Sequence, residues 1–110
     1  MDAPDDTRSL MNSPRLALMR RNRQEILALA RRHGIGRVRV FGSVARGEDN
    51  EDSDVDLLVD YDTHRPGGLM PIIAFAREVE ELTGERVDVA PEMLLKPEVR
   101  VNAQRDAVVL

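Results

Sequence analysis

Two apolar runs, Val38-Arg39-Val40-Phe41 and Leu57-Leu58-Val59, are joined by a segment that begins with Gly42-Ser43 and ends with Asp54-Val55-Asp56. That junction constrains the fold more than any other part of the 110-residue chain. Arg37 to Phe41 alternates polar and apolar residues, the period of a strand with one buried face. Asp54 to Tyr61 reads as a second strand, in which residues two apart share a face. Asp54 and Asp56 therefore project together, while Val55, Leu57 and Val59 point the other way into a core. Both carboxylates must stand on a sheet face that the core does not cover. Between the strands, Gly42 ends the first, Ser43 to Gly47 makes a short helical turn, and Glu48 to Asp52 forms an acidic loop.

The remaining chain supplies the rest of a small domain. Residues 1–12, with Pro4 and paired acids, show no period and read as a flexible N-terminus; residues 13–110 read as a single domain. Ser13 caps a helix that has Pro14 at its first position. This helix is expected to run to about His33, with Leu16, Met19, Ile26, Leu27 and Ala30 in one stripe that Arg23 interrupts, and Gly34 as its C-terminal cap. A loop over Thr63–Gly68 leads to a helix over Leu69–Thr83. Its apolar face is read as Leu69, Ile72, Ile73, Ala76, Val79 and Leu82 or Thr83, with Pro71 harmless in the first turn and Gly84 as the stop. Arg86 to Ala90 is a third strand. Pro91 and Pro97 bracket a short turn or helix, Pro97 to about Arg105 reads as a last helix, and Val108–Leu110 as a short terminal strand or tail. The order predicts an α/β (α+β) fold: a small mixed sheet of three to four strands with helices packed mainly on one face.

Composition removes several functional classes. There is no cysteine, which excludes disulfides and thiolate metal sites. A formal net charge of −4 argues against nonspecific DNA binding, and no direct DNA contact is expected. No apolar run approaches the ~20 residues of a membrane span, and the N-terminal residues do not read as a signal peptide, so a cytoplasmic location is expected. With two Phe, one Tyr and no Trp, the core must be aliphatic. Charge is uneven along the chain: arginines crowd the first third, where they read as a solvated face, and aspartates crowd the middle.

The central junction carries the chemistry. A glycine lets the backbone approach a phosphate closely, a serine offers a hydroxyl, and N–H groups at a helix start attract anions. Arg46 adds a cation one turn on. Asp88 stands in the middle of the third strand between Val87 and Val89. If that strand pairs beside the second, Asp88 joins Asp54 and Asp56 on one face. Three such acids repel one another unless a cation or proton intervenes. Mg²⁺, which takes a few carboxylates together with phosphate oxygens and water, is the natural remedy. An anion cradle beside a cation cage suits a nucleoside triphosphate and in-line attack at phosphorus between two metal ions.

Plainer readings of the same residues exist. Two aspartates at a strand start are ordinarily a solvated loop edge; the Gly-Ser turn and the apolar run behind them make this pair different. Asp52-x-Asp54-x-Asp56 resembles the start of an EF-hand, but Leu57 and Thr63 occupy the places where that loop needs Gly and Glu. His33 and His64 are too far apart in sequence to pair as ligands. Met70 and Met93 read as fillers of core or partner-facing gaps, Tyr61 as packing at a strand end, and Glu48 as a support for Arg46 or only a loop acid.

Gly42-Ser43, ten residues, then Asp54-x-Asp56 resembles the signature of the DNA polymerase β-like nucleotidyltransferase superfamily. The longer run, Gly42-Ser43-Val44-Ala45-Arg46-Gly47 through Ser53-Asp54-Val55-Asp56-Leu57-Leu58-Val59, is similar to its minimal nucleotidyltransferase branch. The resemblance implies that Asp54 and Asp56 ligate Mg²⁺. It makes Asp88 a third ligand that helps activate the attacking hydroxyl, and it gives the β- and γ-phosphates of ATP to Ser43 and the Gly42 backbone. Arg46 would support the loop or the phosphates. Larger relatives hold the acceptor in a second, helical domain, which this chain is expected to lack. Minimal members are commonly antitoxins paired with a small helical HEPN ribonuclease toxin. The resemblance thus implies transfer of AMP from ATP to a tyrosine hydroxyl of such a toxin, within a hetero-oligomer. Two alternatives stand beside it: an antitoxin that works by binding and occlusion alone, and a transferase acting on a small molecule such as an aminoglycoside.

Overall fold

The computed structural model describes residues 13–110. The expected flexible stretch 1–12 lies outside the described residues. Two helices come first, α1 (Pro14–Arg21) and α2 (Arg23–Arg32). Strand β1 (Val38–Phe41) runs into the one-turn helix α3 (Gly42–Arg46), and β2 (Val55–Val59) follows. Helix α4 (Met70–Thr83) connects to β3 (Val87–Pro91), and a 3₁₀ turn over Glu92–Leu94 leads to α5 (Pro97–Asp106) and β4 (Val108–Val109).

The four strands form one mixed sheet in the order β3-β2-β1-β4. β1 pairs antiparallel with β2 and with β4, and β2 pairs parallel with β3. A parallel pair needs a crossover longer than a hairpin turn, and α4 supplies it. One sheet face carries Val38, Val40, Val55, Leu57, Val59 and Val87, all buried in a cluster with Leu16, Met19, Ile26 and Ala30 of the first helices and Ile72, Phe75 and Val79 of α4. Val44 anchors α3 in the same cluster. Most helical packing therefore falls on one face, as expected. Asp56, Leu58 and Arg39 alternate onto the other face, where α5 contributes the buried Ala103.

Three local expectations need correction. The single helix expected from residue 13 to about 33 is two helices broken at Asn22, whose φ/ψ of −99°/15° leave the helical range. Its Nδ2 donates to the Leu18 carbonyl at 3.0 Å, and a side-chain amide that competes for a backbone acceptor interrupts a helix in this way. Beyond the break, Arg23, which interrupts the apolar stripe, donates from Nε to the Leu110 carbonyl at 2.9 Å and so ties α2 to the end of the chain. On α4 the buried face is Ile72, Phe75 and Val79; Leu69, Met70 and Ile73 are exposed. The apolar stripe is wider than the face that packs, and Phe75, the largest fully buried side chain, takes the central place. Met93 is exposed as well and fills no core gap. The caps follow expectation: Ser13 Oγ accepts from Leu16 N at 3.0 Å, and Gly84 ends α4 with φ +75°.

Candidate active site

The site is built where β1 ends beside the starts of β2 and β3. In the sheet register Phe41 lies opposite Asp56, and Asp56 lies opposite Asp88. Partners across a ladder share a face, so the sheet brings Asp56 and Asp88 together on the side away from the core. β3 is an edge strand, which leaves Asp88 exposed to a second molecule. Its claim to a role rests on its level with Asp56.

Gly42 follows Phe41 with φ +73°, a conformation that L side chains rarely adopt. A Cβ there would lie 2.5 Å from Asp56 Oδ2. The bare Cα thus leaves the room in which the Asp56 carboxylate sits, and the turn and the acid form one unit. Ser43 is half-buried at the start of α3, and among the described residues its hydroxyl has no hydrogen-bond partner. Glu48 N donates to the Ser43 carbonyl at 2.9 Å and closes the turn.

Asp56 is the electrostatic centre. Burial pushes its carboxyl up from 3.8 to about 6, the charges of Asp88 and Asp54 push the same way, and Arg46 partly offsets them. The Arg46 guanidinium is itself engaged, at 2.9 Å to Glu48 Oε1 and 2.8 Å to Asp106 Oδ2. It ties the turn to α5, a loop-supporting role, and its charge is still felt at Asp56.

Asp54 stands just before β2, exposed, and its Oδ1 lies 3.0 Å from Arg86 Nε. Arg86 also donates from Nη2 to the Asp52 carbonyl at 2.8 Å, and its own carbonyl accepts from Val55 N at 2.9 Å. Sequence reasoning treated Arg86 only as a strand residue. The signal that would have found it is the parallel register: with Val55 opposite Val87, residue 86 falls beside residue 54. Arg15 was likewise read as part of a solvated face. It instead holds the acidic loop to α1, at 2.8 Å to Asp49 and 2.6 Å to the Asn50 carbonyl, and it reaches Glu85 at 2.7 Å.

The donor set is entirely oxygen, and the Asp56 carboxylate sits against a Cα without a side chain. These residues fit a small, hard dication such as Mg²⁺ together with an anionic ligand. A cation already stands against Asp54, the guanidinium of Arg86. Among the described residues, no three His, Cys, Asp or Glu side chains are gathered closely enough to hold a metal as they stand.

Comparison with known proteins agrees with this geometry. The profile of the nucleotidyltransferase domain matches residues 23–110. Protein adenylyltransferase MntA of Thermococcus cleftensis is 39% identical over 80 residues, 73% of this chain and 79% of that protein. A solved structure provisionally assigned as a minimal nucleotidyltransferase superposes with a TM-score of 0.72 at 42% identity, covering 93% of this chain and 99% of that one. A crystal structure of a toxin–antitoxin with AMP-PNP superposes with a TM-score of 0.64, over 80% of this chain and 71% of that one. At 19% identity the last comparison is a likeness of fold. Among the described residues, no helix is long and apolar enough to cross a membrane.

Proposed function

The chain belongs to the nucleotidyltransferase domain family, and on that premise we propose that it transfers AMP from ATP to a tyrosine hydroxyl of a cognate HEPN-type toxin and thereby silences it. The observation that carries this reading is the alignment of Asp56 with Asp88 beside the bare Cα of Gly42, at an open sheet edge. The minimal domain over residues 13–110 acts within a hetero-oligomer in the cytoplasm, and the toxin itself brings the hydroxyl. Support for a protein acceptor comes from the relative named protein adenylyltransferase, and support for a toxin from the toxin–antitoxin of like fold.

The roles divide by position. Asp54, Asp56 and Asp88 would hold Mg²⁺, as two ions, which supplies charge neutralisation at the triphosphate and a more acidic acceptor hydroxyl. Gly42 and Ser43 receive the β- and γ-phosphates through backbone N–H groups and the Ser43 hydroxyl, and Arg46 braces that turn. The acceptor oxygen forms a bond to the α-phosphorus as the bond from that phosphorus to the bridging oxygen breaks, releasing pyrophosphate. Asp88, reachable from solvent at the strand edge, takes up the hydroxyl proton.

The test is transfer of label from α-³²P ATP to the toxin in Mg²⁺. Wild type labels the toxin, and an Asp54→Ala/Asp56→Ala variant does not; equal labelling by both would overturn the assignment. A second reading, neutralisation by binding alone, is favoured by the exposed Leu69, Met70 and Ile73 on α4. It predicts that the same double variant still protects cells from the toxin.

A further inference from the structure

Arg86 is absorbed neither by the phosphate turn nor by the carboxylate set, yet it is tied at three points to the segment that leads into β2. Its Nε lies 3.0 Å from Asp54 Oδ1, its Nη2 donates to the Asp52 carbonyl at 2.8 Å, and its backbone carbonyl accepts from Val55 N at 2.9 Å. It precedes Asp88 by two residues on the same strand, so both lie toward one sheet face. The main chain of residue 86 is thereby pinned beside the start of β2, while its side chain is largely exposed.

We propose that Arg86 is a counter-ion that Asp54 exchanges for the divalent cation, and that the freed guanidinium then binds the triphosphate. The reasoning is electrostatic. In the metal-free protein, Asp54, Asp56 and Asp88 crowd one corner of the sheet, and Arg86 neutralises the one that stands outermost. A dication at Asp54 and Asp56 weakens the hold of Asp54 on the guanidinium, because the two cations draw on one carboxylate and repel each other across it. Once released, Arg86 stays anchored through its main chain beside the start of β2, next to Asp54. A planar guanidinium with several donors is suited to bind two phosphate oxygens at once. Arg86 is thus a positioning residue in the metal-free protein and a substrate ligand in the loaded one.

The two halves of this role have opposite signs, and that makes them measurable. Removing the side chain should tighten the metal alone and weaken the nucleotide. For Arg86→Gln we expect Mn²⁺ to bind about two- to fivefold tighter in the absence of nucleotide, the range given by an exposed ion pair of up to about one kilocalorie. Mn²⁺ binding is read by electron paramagnetic resonance, with no acceptor protein and no turnover. Binding of the Mn²⁺ complex of a non-hydrolysable ATP analogue, read by calorimetry, should weaken about tenfold, as for loss of one charge-assisted contact. Arg86→Lys keeps the charge and should fall between wild type and Arg86→Gln in both measurements. Arg77→Gln, which removes the same charge from α4 without touching Asp54, serves as the control for charge alone.

Equal Mn²⁺ affinity in wild type and Arg86→Gln, or a change that Arg77→Gln reproduces, overturns the exchange. Joint weakening of metal and nucleotide also overturns it, because that pattern marks Arg86 as a structural tie at the strand entrance. The proposal rests on the carboxylates being the metal site, and the two fail differently. A wild-type protein that binds no Mn²⁺ sinks that reading and this one together; wild-type binding that Arg86→Gln leaves unaltered sinks this one alone. Failure of AMP transfer to a toxin touches neither measurement.

Discussion

If Asp56 is held where its charge is unwelcome, then replacing it with asparagine should make the metal-free protein more stable while abolishing its activity. Burial and the charges of Asp88 and Asp54 raise the Asp56 carboxyl from 3.8 to about 6. The folded protein therefore keeps this proton to about pH 6, and the unfolded chain loses it near pH 3.8. Between those values the folded state binds more protons, so the Asp56 contribution to stability falls as pH rises through the window. Above about pH 7 the whole penalty is present. The full shift would correspond to roughly 3 kcal/mol. Asp56 is only half-buried, and solvent screening reduces this to about 1 kcal/mol. A change of that size moves the melting temperature of a domain this small by about 4 to 8 °C. The assay is thermal unfolding of wild type and Asp56→Asn in EDTA at pH 8 and pH 4.2. The variant should melt higher at pH 8, and its advantage should shrink as pH falls, because wild-type Asp56 is itself protonated there. A variant that is no more stable at pH 8, or whose gain is the same at both pH values, would refute the idea that this carboxylate is electrostatically strained.

Two other substitutions probe how the site is held. Gly42→Ala places a methyl group 2.5 Å from Asp56 Oδ2 in a backbone of φ +73°, and should cost about 2 kcal/mol with loss of activity. Gly68→Ala, at φ +54° with no atom within 4 Å, should cost about 1 kcal/mol and leave activity alone; equal costs by urea unfolding would remove the close approach as the reason for glycine. Arg15→Ala leaves the nearly buried Asp49 without its ion partner, and Asp49 Oδ1 already lacks a hydrogen bond. We expect a loss of about 2 to 3 kcal/mol, together with faster amide hydrogen exchange in residues 49–53; unchanged exchange there would show that the loop holds itself.

Much of this site can be read from residue order, for a physical reason. A strand has a fixed period of two, so Asp54-Val55-Asp56 followed by Leu57 and Val59 already separates the acids from the core. The α4 stretch between the second and third strands is too long for a hairpin, and such a crossover favours parallel pairing. Asp88 follows Arg86-Val87 just as Asp56 follows Asp54-Val55, and the observed register sets those runs side by side. The places where reading fails share a different cause. The apolar stripe of α4 allowed several buried faces, and only the position of the sheet selects Phe75 over Ile73. The break at Asn22 depends on one side-chain amide reaching back to Leu18, a competition that helical periodicity does not register. Arginines are the hardest to place, since each has a long reach and any carboxylate satisfies it. Arg15 reads as surface charge and Arg39 and Arg86 as polar strand positions, yet Arg39 is buried between Asp60 and Glu92. Burial alone would raise the Glu92 carboxyl; the hydrogen bonds from Arg39 and Gln104 and the nearby positive charge outweigh it and hold it below its ordinary range. Identifying an arginine's partner requires the register to a single residue. A shift of one place between β2 and β3 would separate Asp56 from Asp88 and turn Arg86 away from Asp54 at the same time. The register that assembles the carboxylates is thus the one that sets a cation against them, and loading the site begins with removing it.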